Sequence, residues 1–343
     1  MVRRHDTLDG WLVTDAATAL TVLRDPATWS SDHFGGPRPA EHAAWAAELA
    51  AEDDGVRELL QLTPQALIGL DPPDHTRLRS VLRRRFAPAV IERYRPLVQA
   101  EADALLDGIV TGEPVEVVET FTRPLPFRIV ARLLEIPEPD WPVVEALAHA
   151  ASTDDTANET REQFRARLTA ERDVMRYFVD AGTLRDPTIT AREAAGLCRE
   201  VLVAGSDSVG HLLAGALTEL DAHRDDIPAL IEHRLRADPP FTGFWRRATG
   251  STRLDGTEIP AGGLVQLDYG AINAGAARHL SFGHGVHFCL GAALARLEAT
   301  VVLDAIAAAT DRVEPAGPAE RLASPAVGGY RRLTLRFVPR GGA

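Results

Sequence analysis

The residues with the clearest chemical promise run from 282 to 291 and read Phe-Gly-His-Gly-Val-His-Phe-Cys-Leu-Gly. Cys289 stands just before an alanine- and leucine-rich stretch that reads as a helix. Free amide hydrogens and the helix dipole at such a start favour a thiolate over a thiol. A thiolate ligates metal, and backbone donors around the sulfur tune the metal it holds. Gly283 and Gly285 let the backbone approach something flat and bulky. A lone cysteine is more commonly a small buried hydrophobe, but the surrounding ten residues favour the ligand. Three other groups could act with it. His75 and Arg79, in Asp71-Pro-Pro-Asp-His-Thr-Arg-Leu-Arg79, share one helix face, and the forked Arg donors suit a carboxylate. Alone, such a pair would read as a solvated basic face. Ala204-Gly205-Ser206-Asp207-Ser208 falls inside a long helical stretch that its glycine and serines weaken. A local opening of the hydrogen-bond ladder there would admit oxygen or water; the alternative is a kink with a solvated Asp. Finally, Arg77, Arg79, Arg83, Arg84 and Arg85 crowd one short helix.

The elements that must hold these groups are mostly helical. A strand from Gly10 to Thr14 precedes a helix from Asp15 to Arg24, and a loop-rich segment with short helices fills 31–70. Helices are expected from Pro73 to Phe86, at 89–110, at 117–135 and, with breaks, at 139–183. Thr190 with Glu193 forms a capping-box pattern that opens a long helix running towards Leu220. A further helix at 226–236 stops before Pro239-Pro240. Residues 245–269 then read as strands, with Leu254-Asp255-Gly256-Thr257 as a hairpin turn and a second turn at Ile259 to Gly263. A helix from about 290 to 309 follows the cysteine, and Tyr330 to Val338 alternates as a strand. The whole reads as one domain over 1–343, mainly α with a minor β region.

Bulk properties narrow the setting. The chain has 343 residues, 45% of them hydrophobic, enough for a large core. Its net charge of −12 argues against general nucleic-acid binding. Cys198 and Cys289 are the only cysteines and have no disulfide or zinc spacing, which suits a reducing, cytoplasmic location. The N-terminus shows no apolar signal core, and no window reads as a membrane span.

Phe282, Gly283, Gly285, His287, Cys289 and Gly291, with the helix Ala292 to Glu298 after them, resemble the haem-binding signature of the cytochrome P450 family in its bacterial soluble branch. The resemblance implies a P450-like fold that binds haem b (iron protoporphyrin IX), with Cys289 as the metal ligand. Such a thiolate pushes electron density onto the iron and favours O–O cleavage. Phe282, Gly283 and Gly291 would shape the cofactor site. His75, Arg79, Arg246 and His287 match propionate contacts, with Arg247 as the neighbouring alternative to Arg246. Asp207 and Ser208 match the acid and alcohol that manage protons. Ser replaces the usual Thr and lacks the methyl that stiffens it, so coupling of oxygen use to product would suffer. The Arg-rich helix matches the one near the proximal haem face, where its charge would steer an acidic ferredoxin. For Arg83, Arg84 and Arg85 a solvated face is an equal alternative.

The sequence also departs from the family. The part preceding Gly10 is nearly absent, and the stretch from Trp141 to Gly205 is short for the helices that roof the substrate pocket. In the family's Glu-x-x-Arg motif, Arg236 keeps the Arg position but His233 takes that of Glu, and Glu232 lies one residue, about 100°, round the helix. The long meander with its Arg is missing between Gly270 and Ser281. Without that buried network Arg236 needs another partner. The leading expectation is a haem-thiolate monooxygenase that oxidises a hydrophobic small molecule of specialised metabolism, with a trimmed roof that admits a bulky or protein-presented substrate. The alternatives are haem-thiolate chemistry of another kind (rearrangement, cyclisation or peroxide-driven oxidation) and a non-catalytic P450-like helper of a glycosyltransferase.

Overall fold

The computed structural model describes residues 1–341 except 7, 34, 38–39, 63–66, 153–158, 323 and 325. Its centre is the helix Ala191–Leu217, opened by the expected capping box: the Thr190 hydroxyl accepts the Glu193 N–H, and the Glu193 carboxylate accepts the Thr190 N–H. Apolar side chains line the helix along most of its length, because it runs through the interior rather than over the surface. It packs on Pro124–Leu133, Arg161–Ala181 and Ala292–Ala309. These helices, with Arg95–Ile109, bury the largest hydrophobic cluster.

A five-stranded sheet closes one part of the molecule, in the order Val2–Arg4, Trp11–Val13, Leu264–Asp268, Gly243–Ala248 and Trp29–Ser30. It joins the beginning of the chain to segments late in the sequence, and Trp11 pairs with Val265 in parallel register. Thr252–Leu254 and Thr257–Ile259 form the expected hairpin. Asp255 and Gly256 take φ of 46° and 78° at its tip, a left-handed pair that Gly accepts readily. A second sheet pairs Tyr330–Pro339 with Pro114–Glu116 and with Thr310–Arg321. The last strand was not expected: its Glu-Pro-Ala-Gly-Pro run has no alternation, and its partner recruits it.

The other differences are of extent. The segment at 31–70 is more helical than expected, with Ala40–Glu52 and Asp54–Leu62 packed on Arg161–Ala181 through a small cluster that includes Leu49, Leu59 and Phe164. The helix expected at 117–135 divides into a π-turn at Val118–Thr122 and a helix at Pro124–Leu133. The roof comprises Trp141–Ala151 and Arg161–Ala181. Among the described residues no helix is long and apolar enough to cross a membrane.

The missing meander has a structural replacement. A short helix, Tyr269–Gly275, follows the strand Leu264–Asp268. Arg236 donates to the carbonyls of Asn273 and Ala276, at 2.8 and 2.7 Å, and to that of Ala277 at 3.1 Å. Glu232 makes no bond to Arg236. It accepts from Arg296 at 2.6 Å, and its other oxygen lies 2.9 Å from the His279 ring. Backbone carbonyls and a displaced Glu–His–Arg set thus brace the layer beneath the cysteine loop.

Candidate active site

Cys289 lies in the loop between the 3₁₀ turn Gly285–His287 and the helix Ala292–Ala309. Its amide donates to the Phe282 carbonyl at 2.8 Å, which folds the loop back on itself. Gly283 and Gly285 both hold positive φ, 68° and 70°. A Cβ on Gly285 would stand 2.2 Å from the Leu23 carbonyl oxygen, so the close approach at this glycine is to the helix Ala16–Arg24 rather than to a ligand, as the sequence had suggested. The Phe282 ring carries the Arg296 guanidinium over its face at 4.4 Å. Phe282 and the Glu232 network are thereby fastened together.

The sulfur of Cys289 is deep in the fold yet accessible, because it opens onto a cavity between the helix Ala191–Leu217 and the cysteine loop. The amides of Gly291 and Ala292 and the charges of Arg79 and Arg296 all lower its pKa, as a helix start should, but burial outweighs them and the net shift is upward. The donors that the sequence suggested are present, but by themselves they do not offset the burial of the sulfur; a bound metal would add to them in favouring the thiolate.

Four basic side chains from three separate segments line the same cavity: His75, Arg79, Arg246 and His287. The cis Pro72–Pro73 bond precedes the helix Asp74–Arg83, and the spacing of His75 and Arg79 turns both inward. His75 is 1% exposed, and neither ring nitrogen has a hydrogen-bond partner. Its ring centroid is 4.2 Å from that of His287. Burial, with Arg79 beside it, pushes His75 down to about 4. Burial, the charges of Arg246 and Arg79 and the neighbouring His75 ring push His287 down to about 3. Ser31 Oγ holds the His287 ring at 2.9 Å. Arg246, on the strand Gly243–Ala248, is 4% exposed and donates to its neighbour's Trp245 carbonyl at 2.7 Å. Arg79 donates to the Phe288 carbonyl. Arg247 points away and pairs with Asp32, so the fallback assignment to it is not needed.

Among the described residues none of these four groups is in an ion pair. Buried basic groups without an acid are costly, and a set of this kind fits a dianion. A porphyrin bearing two propionates is such a dianion, and its apolar ring fits the wall formed by Leu82, Val209, Leu212, Phe244 and Leu294. The residues present therefore fit haem: a thiol for the metal, a basic edge for the propionates and an apolar slot for the ring.

The distal motif is placed differently from the sequence picture. The helix Ala191–Leu217 is unbroken through 204–208, without the expected opening. Its glycines serve packing: a Cβ at Gly205 would meet the Val130 methyl at 2.9 Å, and one at Gly210 the Thr122 carbonyl at 2.7 Å. Ser208 lines the cavity and donates to the Ala204 carbonyl at 2.8 Å, which leaves its lone pairs free to accept. Asp207 is half-buried beside it and is not among the residues lining the cavity.

Two carboxyls in the cavity wall escaped the sequence reading. Glu298 is 0% exposed with neither oxygen hydrogen-bonded, and burial raises its pKa well above the ordinary range. Glu200 takes the Leu67 and Ile68 amides on its carboxylate. The only available signal was spacing: Glu200, Ala204 and Ser208 recur every fourth residue on one helix face.

Comparison with known proteins gives the site its context. No family model matches the chain. It is 32% identical over 367 aligned residues to the erythromycin C-12 hydroxylase of Saccharopolyspora erythraea, covering 93% of this chain and 86% of that protein. It is 28% identical to the cytochrome P450 monooxygenase PikC of Streptomyces venezuelae, over 98% of this chain and 87% of that one. Among solved structures, a mutant of P450 EryK in complex with erythromycin B superposes with a TM-score of 0.78 at 28% identity, over all of this chain and 94% of the other. P450BioI in complex with an acylated carrier protein superposes at 0.84 with 22% identity, covering 98% and 94%, a likeness of fold. A cysteine-bearing cavity ringed by basic groups, together with identity of this degree along nearly the whole length, places the chain in the cytochrome P450 family as an enzyme of the monooxygenase type.

Proposed function

We propose that the protein holds haem b in this cavity, with Cys289 as the iron ligand, and oxidises a hydrophobic small molecule of specialised metabolism. One observation carries the reading: a thiol and four basic groups that make no ion pair among the described residues converge on a single, largely apolar cavity. When bound, the haem supplies oxidising chemistry that no side chain here possesses. His75, Arg79, Arg246 and His287 would take the propionates and so fix the ring's orientation. The amides of Gly291 and Ala292 and the Arg296 charge would hold electron density on the Cys289 sulfur. Ser208 would accept and pass protons at its Oγ, and Asp207 would exchange them with solvent. Leu212, Val209 and Phe244 would exclude water from the reacting face.

The exposed Arg83, Arg84 and Arg85, which make no ion pair at contact distance among the described residues, would dock an acidic ferredoxin. A single domain over 1–343 and a cytoplasmic location complete the proposal. The rebuilt bracing around Arg236 and Glu232 weakens the case for the alternative haem chemistries, and the retained Cys289 weakens that for a non-catalytic helper.

The test is the absorption spectrum of the purified protein, reduced and exposed to carbon monoxide. The red-shifted Soret band of thiolate-ligated haem is expected, and Cys289→Ala should abolish it. Failure to retain haem after expression with haem supplementation would overturn the proposal.

A further inference from the structure

Glu200 sits on the same face of the helix Ala191–Leu217 as Ala204 and Ser208, and all three line the cavity. Ionised carboxylates are rarely left in apolar surroundings without a countercharge, because desolvation is costly. Glu200 has donors but no countercharge. The Ile68 amide donates to one oxygen at 3.0 Å, and the Leu67 amide to the other. Among the described residues no cation lies within ion-pair distance. The two nearest are engaged elsewhere: Arg199 pairs with Glu171 at 2.5 Å, and Arg79 belongs to the basic edge and donates to the Phe288 carbonyl. Each carboxylate oxygen has two lone-pair directions, so two amides leave acceptor capacity towards the cavity. The donors hold the group in place without neutralising it.

Distance gives the feature a chemical meaning. Eight residues of α-helix span roughly 12 Å, so Glu200 lies two turns along the cavity wall from Ser208. We propose that Glu200 anchors a cationic group of the substrate, which would be a hydrophobic molecule bearing a protonated or quaternary nitrogen roughly 12 Å from the carbon to be oxidised. This inference rests on the haem-thiolate reading above and adds the substrate class.

Burial pushes the Glu200 carboxyl up to about 7, opposed by the amides of Ile68 and Leu67 and by the charges of Arg199 and Arg79. Among the described residues those two arginines, one on its own helix and one on Asp74–Arg83, are the charged groups that face it; the segment Leu67–Gly69 brings no charged side chain. The anchor is therefore charged above neutrality and lost below it.

The experiment compares decyltrimethylammonium, whose charge is fixed and whose nitrogen cannot ligate iron, with decan-1-ol. Binding to the haem-loaded protein is followed by the Soret shift and by equilibrium dialysis. Glu200→Gln should weaken the ammonium probe at least tenfold while changing the alcohol less than twofold. In the unaltered protein, ammonium binding should fall about tenfold from pH 8 to pH 6, as a group titrating near 7 requires, and the alcohol should not respond. The pH series stands by itself if the variant folds poorly. Equal losses for both probes, or no loss and no pH response, would overturn the proposal. The carbon monoxide band is recorded in parallel: its absence would fail the haem reading, while dialysis would still decide the anchor.

Discussion

Replacing Arg246 by Met separates a ligand-binding charge from a structural one, because the two roles predict opposite signs. Arg246 is 4% exposed, and its guanidinium donates to the Trp245 carbonyl at 2.7 Å with no acid at contact distance among the described residues. Burial depresses its pKa, only partly offset by Tyr269 and Asp71. In haem-free protein this is an uncompensated buried charge. Exchanging buried ionic groups for apolar side chains of similar volume is neutral or stabilising, by up to about 1–4 kcal/mol for a whole pair, and a lone uncompensated charge should follow the same sign. The melting temperature of the haem-free variant should therefore rise, by roughly 2 °C for each kcal/mol. With haem the sign reverses. A hydrogen bond from a charged donor contributes about 1.5–3 kcal/mol, so losing one to a propionate should weaken haem binding roughly 10- to 150-fold. Haem titration by Soret absorbance measures the second effect, and thermal unfolding with and without haem measures the first. Arg246→Lys keeps the charge but loses the fork, and should fall between. A Met variant that melts lower without haem and binds haem as tightly as before would refute the argument and make Arg246 structural.

Three further outcomes follow from named contacts. Glu232→Gln loses the charge that holds Arg296 and His279, and since the Glu232 side chain is 46% exposed the cost should be modest, about 1 kcal/mol or less in thermal or urea unfolding. Glu298 is held protonated by burial, so its folded-state pKa exceeds the unfolded one. That contribution is complete below the ordinary carboxyl pKa and is lost as pH rises, at up to about 1.4 kcal/mol per pH unit. Denaturant unfolding from pH 5 to 8 should show the unaltered protein losing stability relative to Glu298→Gln, and parallel curves would count against a buried neutral acid. Reversing the charge of Arg83, Arg84 and Arg85 to Glu should slow reduction by a ferredoxin at least tenfold at low ionic strength, a difference that added salt shrinks; unchanged stopped-flow rates would remove the docking face.

Much of this protein is legible locally. The cysteine loop, the capping box at Thr190, the hairpin at Asp255-Gly256 and the inward spacing of His75 and Arg79 are short-range patterns, in which neighbouring residues decide the backbone or the helix face. They were enough to expect a thiolate ligand, a basic edge and a mainly α fold. What could not be read depended on residues distant in the chain. Gly285 is glycine because the Leu23 carbonyl approaches it, and Gly205 because Val130 does. Thr310–Arg321 is a strand because Tyr330–Pro339 pairs with it.

Electrostatics shows the same division. From sequence, the helix start favours a thiolate at Cys289; in the fold, burial of the sulfur opposes the nearby donors and the net shift is upward. The motif count predicted a broken brace, yet three carbonyls satisfy Arg236 and Arg296 takes Glu232. Residue type and spacing determined which chemistry this chain can perform. Burial and long-range contact decided which ionisable groups make no ion pair among the described residues, and so left Glu200 and the four basic groups facing one cavity. The physical reason is that helix faces and turns are set within a few residues, whereas the cost of a charge depends on everything packed around it.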